Sequence, residues 1–427
     1  MRTFLKTSPK RQRGSPAKSS LALRASVSFL LLLAGFQAQA AEPPASLAVP
    51  RDGESYPAVL LRIEADGQIM LAVDGQPRTV PAEKLIRWGA PAVPAVGSPI
   101  VLAADGSVVP LDVTLESPTL KNDKLACDTR RLGRLQLSLS SVRGLVMRPP
   151  SQTLDADLLA RQIIDAEGNS DQLILDNGDH LSGTIGELGA EKLKLDVEGR
   201  PLEVAVNNIV AIIFNPALTR APNQGAPPIW VGLSDGTRLN CSRAASEGTT
   251  LRLTTLGGLE LKTPLANVVW LQPLSSKVTY LSDLQAAGFK HTPYLSLTWP
   301  YYRDRNVLGG QLRSGGRAYL KGLGLHSTSL VSYALPKPFR RLDAELGIDD
   351  VSAGAASRGS VIFRVYVDTG DGQWKRRYES PVIRGGQQPT PISVDVAGAK
   401  RIGLLVDVAD RGDELDHADW LDVRLVP

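Results

Sequence analysis

Near the end of the chain aspartate recurs at every third position, at Asp407, Asp410, Asp413, Asp416, Asp419 and Asp422. On an extended backbone that spacing sends alternate carboxylates to opposite faces, so they cannot all serve one centre. Asp410, Asp413 and Glu414 fall in a loop around Gly412. A carboxylate-rich loop of this kind can give calcium several of the roughly six to eight hard oxygen ligands it takes, although the spacing is not that of an EF-hand. A second acidic pair closes the run Gly347-Ile348-Asp349-Asp350. Two adjacent carboxylates repel unless a hydroxyl, a cation or an arginine such as Arg358 intervenes. Glycoside hydrolysis needs two carboxylates facing each other across a sugar, and the sequence leaves a pair such as Asp349 and Asp416 open.

Aromatic residues gather in the same part of the chain. Eight of the nine tyrosines, three of the four histidines and three of the six tryptophans lie beyond Lys277. Aromatic faces stack on the apolar C–H faces of pyranose rings while polar side chains read the hydroxyls, and aromatics also fill sandwich cores. Trp299, Tyr301, Tyr302 and Trp374 are therefore the candidates for stacking, with Arg364, Asp349 and Asp350 for hydroxyl contacts. Trp420, at strand spacing among Leu421, Val423 and Leu425, is assigned to the core, and His326, Asp416 and His417 to structural roles. No nucleophile elbow, no His-Glu-x-x-His helix and no phosphate loop occurs; Gly322 and Gly324 lack the third glycine of a dinucleotide site. Cys127 and Cys241 are the two cysteines, one disulfide is chemically permitted after export, and no Cys/His set has zinc spacing.

The elements that must carry these residues read as β throughout. Between about 41 and 274, apolar strands enter tight turns at Asp105-Gly106, Asn177-Gly178 and Asp235-Gly236, and a fainter copy has Asp66-Gly67 and Asp74-Gly75. Asp-Gly and Asn-Gly tolerate the positive φ of hairpin turns. Each copy closes on an apolar segment: Leu85 to Trp88, Val142 to Met147, Ile209 to Phe214 and Val268 to Leu271. The pattern predicts four small antiparallel modules, two in 41–150 and two in 151–274, as closed barrels or stacked sheets. The run SQTLDADLLARQIIDAEGNSD reads as a short connecting helix capped by Ser151 or Asp155, and the Pro-rich stretches 91–99 and 216–228 read as linkers. In the last third, Ser360 to Asp368 alternates cleanly, with Val361, Phe363, Val365 and Val367 on one face.

Residues 1–40 read as a signal peptide. Seven basic residues without an acidic one precede an apolar run, and Ala38-Gln39-Ala40 supplies a cleavage site. The apolar run is shorter than the roughly 20 residues that span a bilayer. That leader holds seven of the 48 Lys and Arg and none of the 44 Asp and Glu, so the +4 of the whole chain becomes about −3 for the remainder. Such a balance provides no global field for nucleic acid. The expected location is the periplasm, the cell surface or the medium, with no transmembrane segment in the mature chain.

The blocks YLSDLQ, KGLGLHSTSLVSYAL, GIDD, GSVIFRVYVD and DHADWLDVRL follow one another from Tyr280 onward. In that order and spacing they resemble the NPCBM/NEW2 family, a carbohydrate-binding module of the galactose-binding β-sandwich type found on secreted glycosidases and bacterial surface proteins. The expected chain is all-β: the several small antiparallel β-repeat modules read from the turn pattern, then the jelly-roll sandwich that the resemblance implies over 275–427, with its boundary near Pro273 to Val278. The resemblance implies a glycan or polysaccharide as partner, with a glycosidase as a further partner, and favours non-catalytic binding. A glycoside hydrolase and a surface scaffold binding protein are the other readings. Sandwiches of this type often carry a structural calcium, but Glu414 stands where the family's loop reads Gly-Asp-Gly.

Overall fold

The computed structural model describes residues 46–427, apart from 96, 221–226, 275–276, 352–358 and 411. The expected leader, Arg358 and Arg411 lie outside the described residues. The regular structure of the described residues is nearly all strand; the one α-helix among them is Thr153–Asp165.

Four copies of one β unit occupy 46–89, 100–146, 171–213 and 229–273. In each, the first strand (Ser46–Pro50, Ile100–Ala103, Asp171–Leu175, Ile229–Leu233) pairs antiparallel with the last (Leu85–Gly89, Val142–Val146, Ile209–Ile213, Val268–Pro273). A three-residue 3-10 turn precedes each last strand, at Ala82–Lys84, Leu139–Ser141, Val206–Asn208 and Leu265–Asn267. The turn glycines Gly106, Gly178 and Gly236 all have positive φ, and the carboxylate or amide ahead of each accepts the N–H two residues on, from Ser107, Asp179 and Thr237. The first copy starts earlier than its sequence suggests, because Ser46–Pro50 is its opening strand and Gly53 its equivalent turn.

The units are not beads on a string. Every closing strand is almost wholly buried, so both of its polar edges need partners. The first unit therefore pairs with the fourth, Leu271 opposite Trp88, and the second with the third, Leu145 opposite Ile212. Close approach requires glycine at Gly89, where φ is +71° and a Cβ would sit 2.0 Å from the Val269 carbonyl oxygen. One apolar core runs from Ala48 to Leu271 through all four units. It contains Cys127 and Cys241 as buried free thiols, and burial pushes Cys127 up to about 12. The stretch around Pro94, expected as a free linker, packs against the turn at Gly236. The helix packs Ile163 onto Leu102, Val146 and Ile213. Its N-cap is Gln152, and neither Ser151 nor Asp155 caps it, since no side chain bonds the first turn.

The C-terminal body is a β-sandwich. One sheet runs Tyr302–Arg303, Gly322–His326, His417–Val426, Arg341–Ile348, Thr390–Asp395, with Thr279–Tyr280 also on His417–Val426. The other runs Gly288–His291, Ser329–Ala334, Arg401–Val408, Ser360–Asp368, Lys375–Glu379. Val361, Phe363 and Val365 meet Leu325, Leu346, Val423 and Trp420 between them. Phe363 and Trp420 touch edge to face with centroids 5.0 Å apart. The sandwich seats directly on the repeats: Val49 and Ile86 of the first unit share an apolar cluster with Val278, Tyr280 and Val426.

Candidate functional site

At one end of the sandwich the strands Gly322–His326 and His417–Val426 bring His326 opposite His417. Trp299, on the segment ahead of them, lies flat over His326 with ring centroids 4.5 Å apart and planes within 4°. Trp299 is also 5.8 Å from His417, and His291 approaches His326 edge-on at 6.0 Å. Trp299 remains partly exposed while His326 and His417 are buried. Burial lowers both imidazoles, His417 to about 4, so they are neutral at pH 7. The Ser327 carbonyl oxygen accepts from His326 Nδ1 at 2.9 Å, which leaves Nε2 as the acceptor nitrogen. Beneath them the Asp416 carboxyl accepts from Ser327 Oγ at 2.5 Å and from the Ser360 N–H at 2.7 Å. Burial pushes Asp416 up to about 6 against the pull of those two bonds, with Asp413 adding its charge. Tyr294, on the same segment as Trp299, is 63% exposed and its ring lies against Gly412. A part-exposed indole backed by neutral donor and acceptor groups can stack on a sugar ring and bond its hydroxyls.

The other residues singled out in the sequence lie elsewhere. Trp374 lies across Gly403 on the outer face of the second sheet, 41% exposed, with the Arg401 guanidinium 5.2 Å from its ring centre. Arg364, on that sheet, is held by Glu379 and Asp407. Asp349 is 1% exposed, and the N–H groups of Arg313 and Val351 donate to its two oxygens at 3.1 and 2.9 Å. Asp350 takes the N–H groups of Gly315 and Gly316. Backbone amides thus separate this carboxylate pair. Asp349 and Asp416 are both buried with their oxygens occupied, so they do not face a sugar as a catalytic couple would. Asp410 turns to Arg384. Among the described residues no group of three or more His, Cys, Asp or Glu is arranged to hold a metal ion.

Tyr301 and Tyr302 line a different feature, a cleft of about 940 Å³ between the repeats, the helix and the sandwich. Tyr301 is held by Phe289 at 4.8 Å, and Tyr302 by strand pairing to Gly324. Arg238, Arg303, Arg313, Asp157 and Gln311 also line the cleft.

Set against protein-family models, residues 277–426 match the NPCBM/NEW2 domain. The C-terminal body is an NPCBM/NEW2 domain. Among curated proteins the chain is 36% identical over 124 residues to Alpha-1,3-galactosidase B of Akkermansia muciniphila, covering 28% of this chain and 14% of that one. It is 32% identical over 158 residues to a protein of Renibacterium salmoninarum named as an endo-alpha-N-acetylgalactosaminidase, covering 35% and 10%. The chain therefore spans a small part of the length of both relatives. Similar solved structures include CBM51-2 with INT domains of Clostridium perfringens ZmpB in complex with GlcNAc, at 27% identity, covering 45% of this chain and 44% of that one, with TM-score 0.31. Another is the CBM51 of Clostridium perfringens GH95 in complex with methyl-galactose, at 23% identity, covering 35% and 99%, with TM-score 0.30.

Within the NPCBM/NEW2 domain the sequence blocks fall into place. The strand after Lys321 supplies His326, DHADW supplies Asp416, His417 and Trp420, and the last two point the chain into the site and the core. His291 and Tyr294 carry no signal of their own in the sequence, because His291 ends a strand of only four residues and Tyr294 lies between Pro293 and Pro300. No described helix is long and apolar enough to cross a membrane.

Proposed function

We propose that this is an exported, non-catalytic glycan-binding protein, and that its NPCBM/NEW2 domain holds sugar at the end of the sandwich where Trp299 lies over His326. The stacked, part-exposed indole with neutral imidazoles behind it carries the reading. It places an apolar face beside hydrogen-bonding groups on a domain of a carbohydrate-binding family. The names of the two curated relatives make α-linked galactose and N-acetylgalactosamine the first sugars to try. The chain shares with those glycosidases one domain's worth of sequence, which supports binding over catalysis. The leader-like residues 1–40 support export.

The test is binding of the whole protein to a panel of neutral glycans, compared with Trp299→Ala. Loss of a stacking contact typically removes about 1 kcal/mol or more, roughly a fivefold fall in affinity. Unchanged binding by a folded Trp299→Ala protein would move the site to another face. Release of reducing sugar from any panel member would favour the hydrolase reading instead.

A further inference from the structure

The cleft beside Tyr301 and Tyr302 has walls that no single part of the chain supplies. The Pro-rich crossing near Pro94, the first turns of the helix, Arg238 of the fourth repeat and the sandwich segment 301–313 each form one side. At about 940 Å³ it falls within the range of small-molecule sites.

Many of its charges are paired: Asp165 engages Arg161 and Arg305, and Lys321 engages Asp283 and Asp304. Five arginines and three aspartates line it. Asp157 is engaged with Arg313: both terminal nitrogens of that guanidinium donate to it, the second at 2.9 Å, and the Gln311 N–H adds a third bond at 3.0 Å. Arg238 beside them gives one bond, Nη1 to the Gln311 side-chain oxygen at 2.7 Å. Its Nε is shut off from solvent without a partner, as is Nε of Arg313. Burial, and then the neighbouring Arg313, pull Arg238 down to about 10, so the residue stays charged near pH 7 without a carboxylate of its own. The helix adds to this, because its first turn lines the cleft and has no side-chain cap. A part-buried guanidinium whose nearest carboxylate is already engaged by Arg313 is a cost to the folded protein unless something else supplies negative charge.

We propose that this cleft is a second binding site, which takes an acidic sugar residue. Arg238 receives its carboxylate or sulfate, and the rings of Tyr301 and Tyr302 flank the sugar. The need for an anion rests on the cleft alone; that a glycan carries it rests on the function proposed above.

The experiment titrates the whole protein calorimetrically with a uronic-acid oligosaccharide, a sulfated oligosaccharide, their neutral counterpart and inorganic sulfate. Binding of one or both acidic oligosaccharides, weakening as salt rises, with the neutral form at least tenfold weaker, is expected. Arg238→Gln should weaken that binding at least tenfold while leaving the melting temperature the same or higher, since a part-buried charge beside Arg313 has gone. Arg303→Gln, at the exposed rim, should weaken it severalfold without touching the fold. Saturation with a neutral glycan bound at Trp299 should not displace the acidic one. Competition between them would place the acidic sugar at the sandwich end and overturn the proposal, as would equal binding of acidic and neutral forms. Sulfate alone binding as tightly as the oligosaccharide would overturn the sugar and leave a bare anion site. If no neutral glycan binds but the acidic one does, the reading at Trp299 fails and this one stands.

Discussion

Arg87 Nε and Asp422 Oδ2 lie 3.0 Å apart, with the two side chains only 5% and 1% exposed, although one belongs to the first β unit and the other to the last strand of the sandwich. The same guanidinium reaches Glu345 and lies over the Tyr319 ring, whose hydroxyl donates to Glu345 at 2.8 Å. Burial pushes Asp422 up, and the charges of Arg87 and Arg424 pull it back only in part. The junction of the two bodies is thus an ionic network closed to water as well as an apolar contact.

Removing Arg87 should expose how much that network holds. Arg87→Met leaves Asp422 and Glu345 buried beside each other with one counter-charge fewer, and breaking a buried pair from one side typically costs about 3–5 kcal/mol. Urea denaturation near neutral pH measures it. A loss under about 1 kcal/mol would mean that the apolar cluster around Ile86 and Tyr280 holds the junction without it.

Trp420 fills the middle of the sandwich, fully buried and edge-on to Phe363. Trp420→Ala should cost about 3–5 kcal/mol, read as a lower denaturant midpoint with little change in slope. Glycan affinity at temperatures where the variant stays folded should be kept. A variant as stable as its parent would show that the core closes over the gap.

The His417 imidazole gives a pH signature. In the unfolded chain it titrates near 6.5, whereas burial, and then His326, hold it at about 4 in the folded protein. Between those values only the unfolded state binds the proton, so folding stability falls as pH drops through the window. Compared with His417→Gln, the parent protein should lose up to about 3 kcal/mol on going from neutral pH to about 4. A difference that does not vary with pH would show an imidazole that titrates alike in both states.

Asp419 has the opposite sign. It is fully buried, and burial, then the neighbouring Asp349, raise its carboxyl well above 3.8. The folded state keeps the proton while the unfolded chain releases it, so its stabilisation is present below about 3.8 and is lost as pH rises. Asp419→Asn should therefore melt higher than its parent at neutral pH, and the gap should narrow on acidification. An Asn variant that melts lower at every pH would mean that the amide cannot fit where the carboxyl does.

Much of this architecture was legible beforehand. The turns at Asp105-Gly106, Asn177-Gly178 and Asp235-Gly236 fix φ through residues adjacent in the chain. The alternation of Ser360–Asp368 reflects the pleat, a property of neighbours two positions apart. The blocks around His326 and Trp420 identified the C-terminal domain. The first repeat was misplaced because Ser46–Pro50 is too short and too plain to stand out before its partner Leu85–Gly89 is known.

Near neighbours in the chain set the strands, the hairpin turns, the helix, the repeat and the kind of sandwich. Tertiary structure decided what depends on partners far apart in the chain. It buried Asp349 against backbone amides, gave Asp410 to Arg384, and divided Trp299, Tyr302 and Trp374 among three separate places. It also set Arg238 next to Arg313 and Asp157, residues that no local pattern links. Periodicity follows from the backbone geometry of a few consecutive residues. Burial and ion pairing follow from which strands the topology brings together, and those contacts are written across the whole chain.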